Sequence, residues 1–305
     1  MNRSGVRRAR TVAGKLAATL AMMLLLVSFE AHAAVHAIDD EGRTVTLPSP
    51  ARRIISLAPH VTELLFAAGA GERIIATSRF SDYPPAALDI PRIGDSFAID
   101  TERVLALKPD LIVVWLHGNS EAQLEQMRKL GIPVFSSEPR RLADIGATLR
   151  RFGTLTGNEA AAETAARRFE RDVAILRERH AGRPIVRVFY QIAERPLLTI
   201  NREHIIEDVL ELCGARNIFA ELGTLTPNVT AEAVAARDPE AIVTSADEPG
   251  NESSFAVWKR LTAMHATRKR NFIELHSDLI SRQSPRIVEG AKTLCAELDR
   301  VRSRR

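Results

Sequence analysis

Seven histidines and two cysteines beyond residue 33 have the widest chemical scope in this chain. His60 follows a short apolar run, and His117 follows Trp115 at the end of another. Either imidazole stands where a loop could present it to a metal or to haem iron. His60, His117 and Glu121 have the side-chain types of a zinc site. The competing reading is that each histidine is a polar group opening a helix. No GxSxG elbow, glycine-rich phosphate loop, HExxH or CxxC occurs, so no residue is assigned a catalytic role and no catalytic cofactor is expected. Aromatic and apolar residues gather instead where strands should end: Phe80, Tyr83, Phe97 and Trp115 in the first half, Tyr190, Ile192, Leu197 and Leu198 in the second. Loops beyond the carboxyl ends of strands are where open α/β sheets bind ligands. One of these side chains alone fits core or rim packing; several in one cleft suit a large ligand that is partly flat and partly apolar.

The elements that would hold these groups are short strands alternating with helices. Residues 35–47 read as a hairpin turned at Asp40–Gly42 and ended by Pro48 and Pro50. Strands are expected at 53–57, 73–77, 111–115 and 133–136, with helices over 60–70, 101–107, from about 118, and over 141–152. The same grammar returns with strands at 184–190, 217–219, 241–244 and 272–275. Helices there are expected through Cys213 and over 229–236, 255–264 and 285–298. Between the two series lies NEAAAETAARRFERDVAILRERH, residues 158–180, free of Gly and Pro and rich in helix formers. At 1.5 Å per residue such a helix spans about 35 Å. It reads as a rigid strut between two α/β lobes with a ligand cleft between them, or else as an ordinary surface helix.

Arg3, Arg7, Arg8, Arg10 and Lys15 precede the apolar run 16–27, and Ala31-His32-Ala33 offers a small-x-small cleavage site. This is the pattern of a secretory signal peptide, with cleavage after Ala33 or alternatively Ala37. The run is short for a membrane span. The expected organisation is a signal peptide at 1–33, a first lobe at 34–155, a linking helix at 156–182 and a second lobe at 183–305. Removing the first 33 residues takes five of 42 basic and one of 38 acidic residues, leaving 37 of each. No basic field then remains to favour nucleic acid. Export to an oxidising compartment favours a Cys213–Cys295 disulfide over two buried thiols.

An internal repeat accompanies the two-lobe pattern. TERVLALKPDLIVV at 101–114 matches AEAVAARDPEAIVT at 231–244, each a short helix, a proline-marked stop and a buried strand. Core packing does not require the glutamates at equivalent places, Glu102 and Glu232. Each singly suits a helix N-terminus. As a pair on linked lobes they also suit a partner with two-fold symmetry.

The runs RIISLAPHVTELLFAAGAGERIIATS, SDYPP and IGDSFAIDTERVLALKPDLIVVW, with LELCGARNIF and SPRIVEGAKTLC in the second half, resemble the iron-siderophore, haem and vitamin B12 binding family of ABC importers, and its corrinoid-binding branch in particular. The resemblance runs from about residue 52 to 298. It implies two Rossmann-like lobes joined by one long backbone helix, the helical-backbone metal receptor type. It also implies a monomeric, non-enzymatic periplasmic protein that passes a corrinoid to a permease dimer with a cytoplasmic ATPase. It pairs Cys213 with Cys295 and places docking glutamates at Glu102 and Glu232, facing permease arginines. Its cleft aromatics fall on Phe80 and Trp115; other tryptophan positions fall on Ser96, beside Phe97, and on Thr226, and a further aromatic falls on Leu279. The cleft is thus less aromatic than the family pattern. One wall is expected from Phe80, Tyr83, Phe97 and Trp115, the other from Tyr190, Leu197, Leu279 and Arg282. Haem held by His60 or His117, a ferric siderophore, a secreted metal-dependent hydrolase and a structural or adhesion module are the alternatives.

Overall fold

The structure is a computed structural model that describes residues 34–95, 98–250 and 252–305. The expected signal peptide, its cleavage site and Phe97 lie outside the described residues. A β-hairpin opens the chain, β1 (Val35–Ile38) against β2 (Thr44–Leu47). Then come β3 (Ile54–Ser56), α1 (Pro59–Ala67), β4 (Ile74–Thr77), α2 (Thr101–Leu107), β5 (Leu111–Trp115), α3 (Glu121–Lys129) and β6 (Val134–Ser137). Two longer helices follow, α4 (Leu142–Thr156) and α5 (Glu159–His180). The second series is β7 (Val186–Gln191), β8 (Ala193–Glu194), β9 (Leu197–Leu198), α6 (Ile205–Leu212), β10 (Ala215–Asn217), α7 (Ala231–Arg237) and β11 (Ala241–Ala246). It ends with α8 (Ala256–Lys259), α9 (His265–Arg268), β12 (Phe272–His276), α10 (Ser277–Ile280) and α11 (Ile287–Ser303).

The strands form two four-stranded sheets ordered β4-β3-β5-β6 and β10-β7-β11-β12. Every pairing in both is parallel. The two sheets therefore have the same winding, with the order reversing between β3 and β5 in one lobe and between β7 and β11 in the other. Strands covered on both faces need apolar residues at successive positions, and the burial shows how they are shared. Ile54, Leu111 and Val113 of the first sheet face a core that also takes Val186, Val188, Ala241 and Val243 of the second. Ile55, Ile112 and Val114 face a core private to the first lobe, and Phe189 and Ile242 one private to the second.

Helix α5 lies in the shared core. Ala162, Ala166, Phe169, Val173, Leu176 and His180 are its buried residues, spaced three or four apart as one helical face requires. The expected strut is thus present, and it is doubled. Helix α4 runs past its expected end to Thr156, and Gly157 at φ 65° turns the chain into α5. The two helices touch closely at Gly153, where a Cβ would come within 2.6 Å of the Ala162 methyl. Two α/β lobes joined by long helices is the expected class, but the joint is a helical hairpin.

The expected helix over 255–264 is cut short: α8 ends at Lys259, and α9 begins only at His265. Trp258 and Met264 both enter the core of the second lobe, and six positions apart on one straight helix they would occupy different faces. The disulfide Cys213–Cys295 is formed, closing 82 residues of sequence and tying the end of α6 to α11.

Candidate ligand site between the lobes

The loops at the carboxyl ends of the two sheets meet. Leu142 N donates to Asp208 Oδ2 at 2.7 Å, and Arg140 lies 3.7 Å from Glu203. On another flank the contact is ionic and buried. Glu63 of α1, its side chain 2% exposed, accepts from Ser284 Oγ at 2.6 Å, Arg282 Nη1 at 3.0 Å and Arg286 Nη1 at 3.2 Å. Arg282 also meets Asp82 at 2.7 Å and Asp278 at 2.6 Å. Arg286 stacks on the Tyr83 ring, 3.8 Å from its centroid. A buried carboxylate is tolerated only with such a set of partners. Burial pushes the Glu63 carboxyl above its ordinary range. Partial burial pushes Asp82 up, but its bond to Arg282, the charges of Arg282 and Arg286 and a backbone hydrogen bond together hold it low.

The second lobe presents an open cavity of about 840 Å³, bounded by Gln191, Ile192, Arg195, Leu197, Ser245 and Trp258. It sits where β7 and β11 end, at the reversal of strand order, the usual place for a ligand in such sheets. Trp258 donates from Nε1 to Gln191 Oε1 at 2.7 Å, which fixes both side chains of the cavity wall.

The expected site residues separate into groups. Leu197 lines the cavity. Phe80 is 66% exposed, in the loop after β4. Its φ of 66° is unusual for a bulky residue; the turn closed by Ser81 N donating to Ser78 O imposes it. Trp115 ends β5 half-buried, edge to face with His60, ring centroids 5.7 Å apart. Tyr190 is a correction: it is 1% exposed and belongs to the shared core, because alternation along β7 turns it to that face. Burial raises its hydroxyl to about 12. Arg282 and Tyr83 are both engaged in the interlobe bridge. Tyr83 lines a separate flank groove of about 710 Å³ with Phe66, Phe169 and Val288. Leu279 is half-buried in α10, its carbonyl against Gly290.

The zinc set does not assemble: among the described residues no three or more His, Cys, Asp or Glu side chains are placed to hold a metal ion. His117 bonds Glu138 through Nδ1. His60 is 3% exposed, and burial lowers its pKa to about 3. Glu63 and Arg286 were not singled out in the sequence. Their signal was a lone glutamate inside the apolar run HVTELLFAA, which needs a cationic partner if buried.

The repeated helices are twins in detail. Glu102 and Glu232 are both exposed on the first turn. Asp100 and Thr230 cap the N-termini, accepting from Arg103 N at 3.0 Å and Ala233 N at 3.2 Å. Lys108 and Asp238 close the C-termini with φ of 46° and 41°. Behind each helix an arginine donates to its last carbonyls, Arg53 to Leu107 and Lys108, and Arg187 to Arg237. Its backbone N–H is in turn held by a carboxylate, Asp110 or Glu240, at 2.9 Å in both lobes. Hydrogen bonds from its own backbone and from Thr230 hold the Glu232 carboxyl below its usual range.

Two parallel sheets of like winding, a helical joint and a cavity at the strand ends define a two-lobed solute-binding protein. The chain belongs to the periplasmic binding protein family, whose profile matches residues 54–279. It is 35% identical over 251 residues to the vitamin B12-binding protein of Vibrio cholerae serotype O1, covering 82% of this chain and 90% of that one. It is 36% identical over 255 residues to the vitamin B12-binding protein of Yersinia pestis, covering 83% and 89%. The crystal structure of the periplasmic vitamin B12 binding protein of Vibrio cholerae superimposes with a TM-score of 0.76 at 34% identity, over 83% of this chain and 98% of that one.

Proposed function

We propose that this chain is a periplasmic solute-binding protein that captures a corrinoid, a cobalamin-like ligand, between its lobes and delivers it to an ABC import permease driven by a cytoplasmic ATPase. Binding is by shape, apolar contact and hydrogen bonds, without covalent chemistry. The first-lobe wall is Phe80 and Trp115; the second is Leu197 with the polar edge at Gln191 and Ser245. Glu102 and Glu232 meet the permease. The signal peptide directs export and is removed near Ala33, and the protein acts as a monomer.

The observation that supports this reading best is the open cavity at the strand-order reversal in a chain whose relatives, matched along most of its length, are named for vitamin B12. The test is titration of the purified mature protein with cobalamin, cobinamide, haem and a ferric siderophore, followed by calorimetry and absorbance. Saturable one-to-one binding of the two corrinoids is the expected result. Binding of haem or siderophore alone would replace the corrinoid by that ligand within the same transport role.

A further inference from the structure

Three buried polar atoms at the carboxyl edge of the first sheet have no hydrogen-bond partner among the described residues: His60 Nε2, Trp115 Nε1 and Ser137 Oγ. They belong to one group. Trp115 and Ser137 are cross-strand partners on β5 and β6, and His60 meets the Trp115 ring edge to face. Buried polar groups are ordinarily satisfied, so three unsatisfied neighbours in one place need a chemical reason.

Their capacities are complementary. The His60 ring is neutral, because burial holds its pKa at about 3. A neutral imidazole whose proton sits on Nδ1 presents a lone pair at Nε2. The indole N–H of Trp115 can only donate, and the Ser137 hydroxyl does either. An acceptor, a donor and an adaptable hydroxyl match a primary carboxamide, which offers one C=O and one NH2. A carboxylate or an ester has no N–H and would leave Nε2 facing another lone pair. Trp115 is half-buried and its ring lies on Gly118, where a Cβ would come within 1.8 Å of it.

We propose that His60, Trp115 and Ser137 form a hydrogen-bonding subsite in the first-lobe wall that takes a primary carboxamide of the bound ligand. This rests on the corrinoid reading, since corrinoids carry such amides around the ring. Gly118 is a positioning residue that leaves room for the indole.

The test compares two dicyano corrinoids by calorimetry: cobinamide, whose peripheral groups are primary amides, and the cobyrinic acid heptamethyl ester, whose groups are esters. The wild-type protein is expected to prefer the amide by about tenfold or more, the scale of one buried polar group left unpaired. His60→Leu is expected to weaken cobinamide by a similar factor and to abolish the preference, and Ser137→Ala to reduce it. His60→Gln, which keeps an acceptor, should restore part of it. In a Trp258→Phe background the remaining Trp115 fluorescence should shift on binding cobinamide, less so in His60→Leu. Circular dichroism checks the fold of each variant, and Ser137→Ala decides should His60→Leu not fold. If both corrinoids bind with equal affinity to all variants, the subsite is overturned while the corrinoid reading stands, and the three atoms hold only water. If neither corrinoid binds the wild-type protein, both fall together.

Discussion

Glu63 and Glu207 are carboxylates buried in apolar helices, and their surroundings treat them differently. Glu63 is met by two guanidinium groups and a hydroxyl, so its burial joins the lobes. Glu207, fully buried in α6, accepts from the Asn217 backbone N–H at 3.1 Å. Burial is the larger influence and raises its pKa to about 7, above the ordinary 4.5. The sign follows from proton counting: between those values the folded chain holds a proton that the unfolded chain has lost. Stability therefore falls as pH rises through that window and levels off above it. Urea unfolding at pH 5 and pH 8 should show the wild-type protein losing stability by up to about 3 kcal/mol from this group. Glu207→Gln should lose less across the same interval. Identical pH profiles for the two proteins would show that Glu207 is ionised throughout.

At the scale of elements, the second lobe carries a covalent tie that the first does without. Its short helices α8, α9 and α10 are of four residues each, and such helices have little stability of their own. The first lobe instead packs α4 along α5. The Cys213–Cys295 bond fixes α6 to α11 across 82 residues. Closing a loop of that length corresponds to about 4.5 kcal/mol in the chain-entropy account. The Cys213→Ser/Cys295→Ser double variant should accordingly unfold at markedly lower urea concentration, by up to that amount. A midpoint indistinguishable from the wild-type protein under oxidising conditions would mean that packing alone holds the lobe. Helices α2 and α7 show the reverse case, two elements of the same length capped in the same way at both ends. Their glutamates are presented alike because the capping, the left-handed stop and the arginine behind each helix are alike.

For the whole molecule, the shared core and the Glu63–Arg282–Arg286 bridge place the lobes at one spacing, and with it the distance between Glu102 and Glu232. That constancy suits a two-point contact with a permease dimer. Reversing both charges, Glu102→Lys with Glu232→Lys, should leave cobalamin affinity unchanged by calorimetry and abolish stimulation of the reconstituted transporter's ATPase; a single reversal should fall between. Both glutamates are exposed and outside the cavity lining, so a matching loss of ligand affinity in the soluble double variant would count against a docking role.

The alternating strands and helices, the long helix, the repeat and the pairing of the two cysteines were legible in the chain itself. Each rests on local periodicity, on a capping pattern, on residue counts or on a run of residues shared with a known family. Trp115 and Leu197 were legible as residues following strands. What the linear pattern does not carry is the direction of a side chain once two sheets share a core. Tyr190 follows the same rule as Leu197 along the chain, yet it points into the shared core, because alternation assigns it to the face that α5 covers. Arg282 and Tyr83 have the chemistry of ligand contacts, and the partners they meet in the bridge, Glu63 and Arg286, lie about two hundred residues away in sequence. Only the tertiary structure decides which polar side chains neutralise one another across the lobes and which, like His60, Trp115 and Ser137 within the first lobe, are left with capacity to spare.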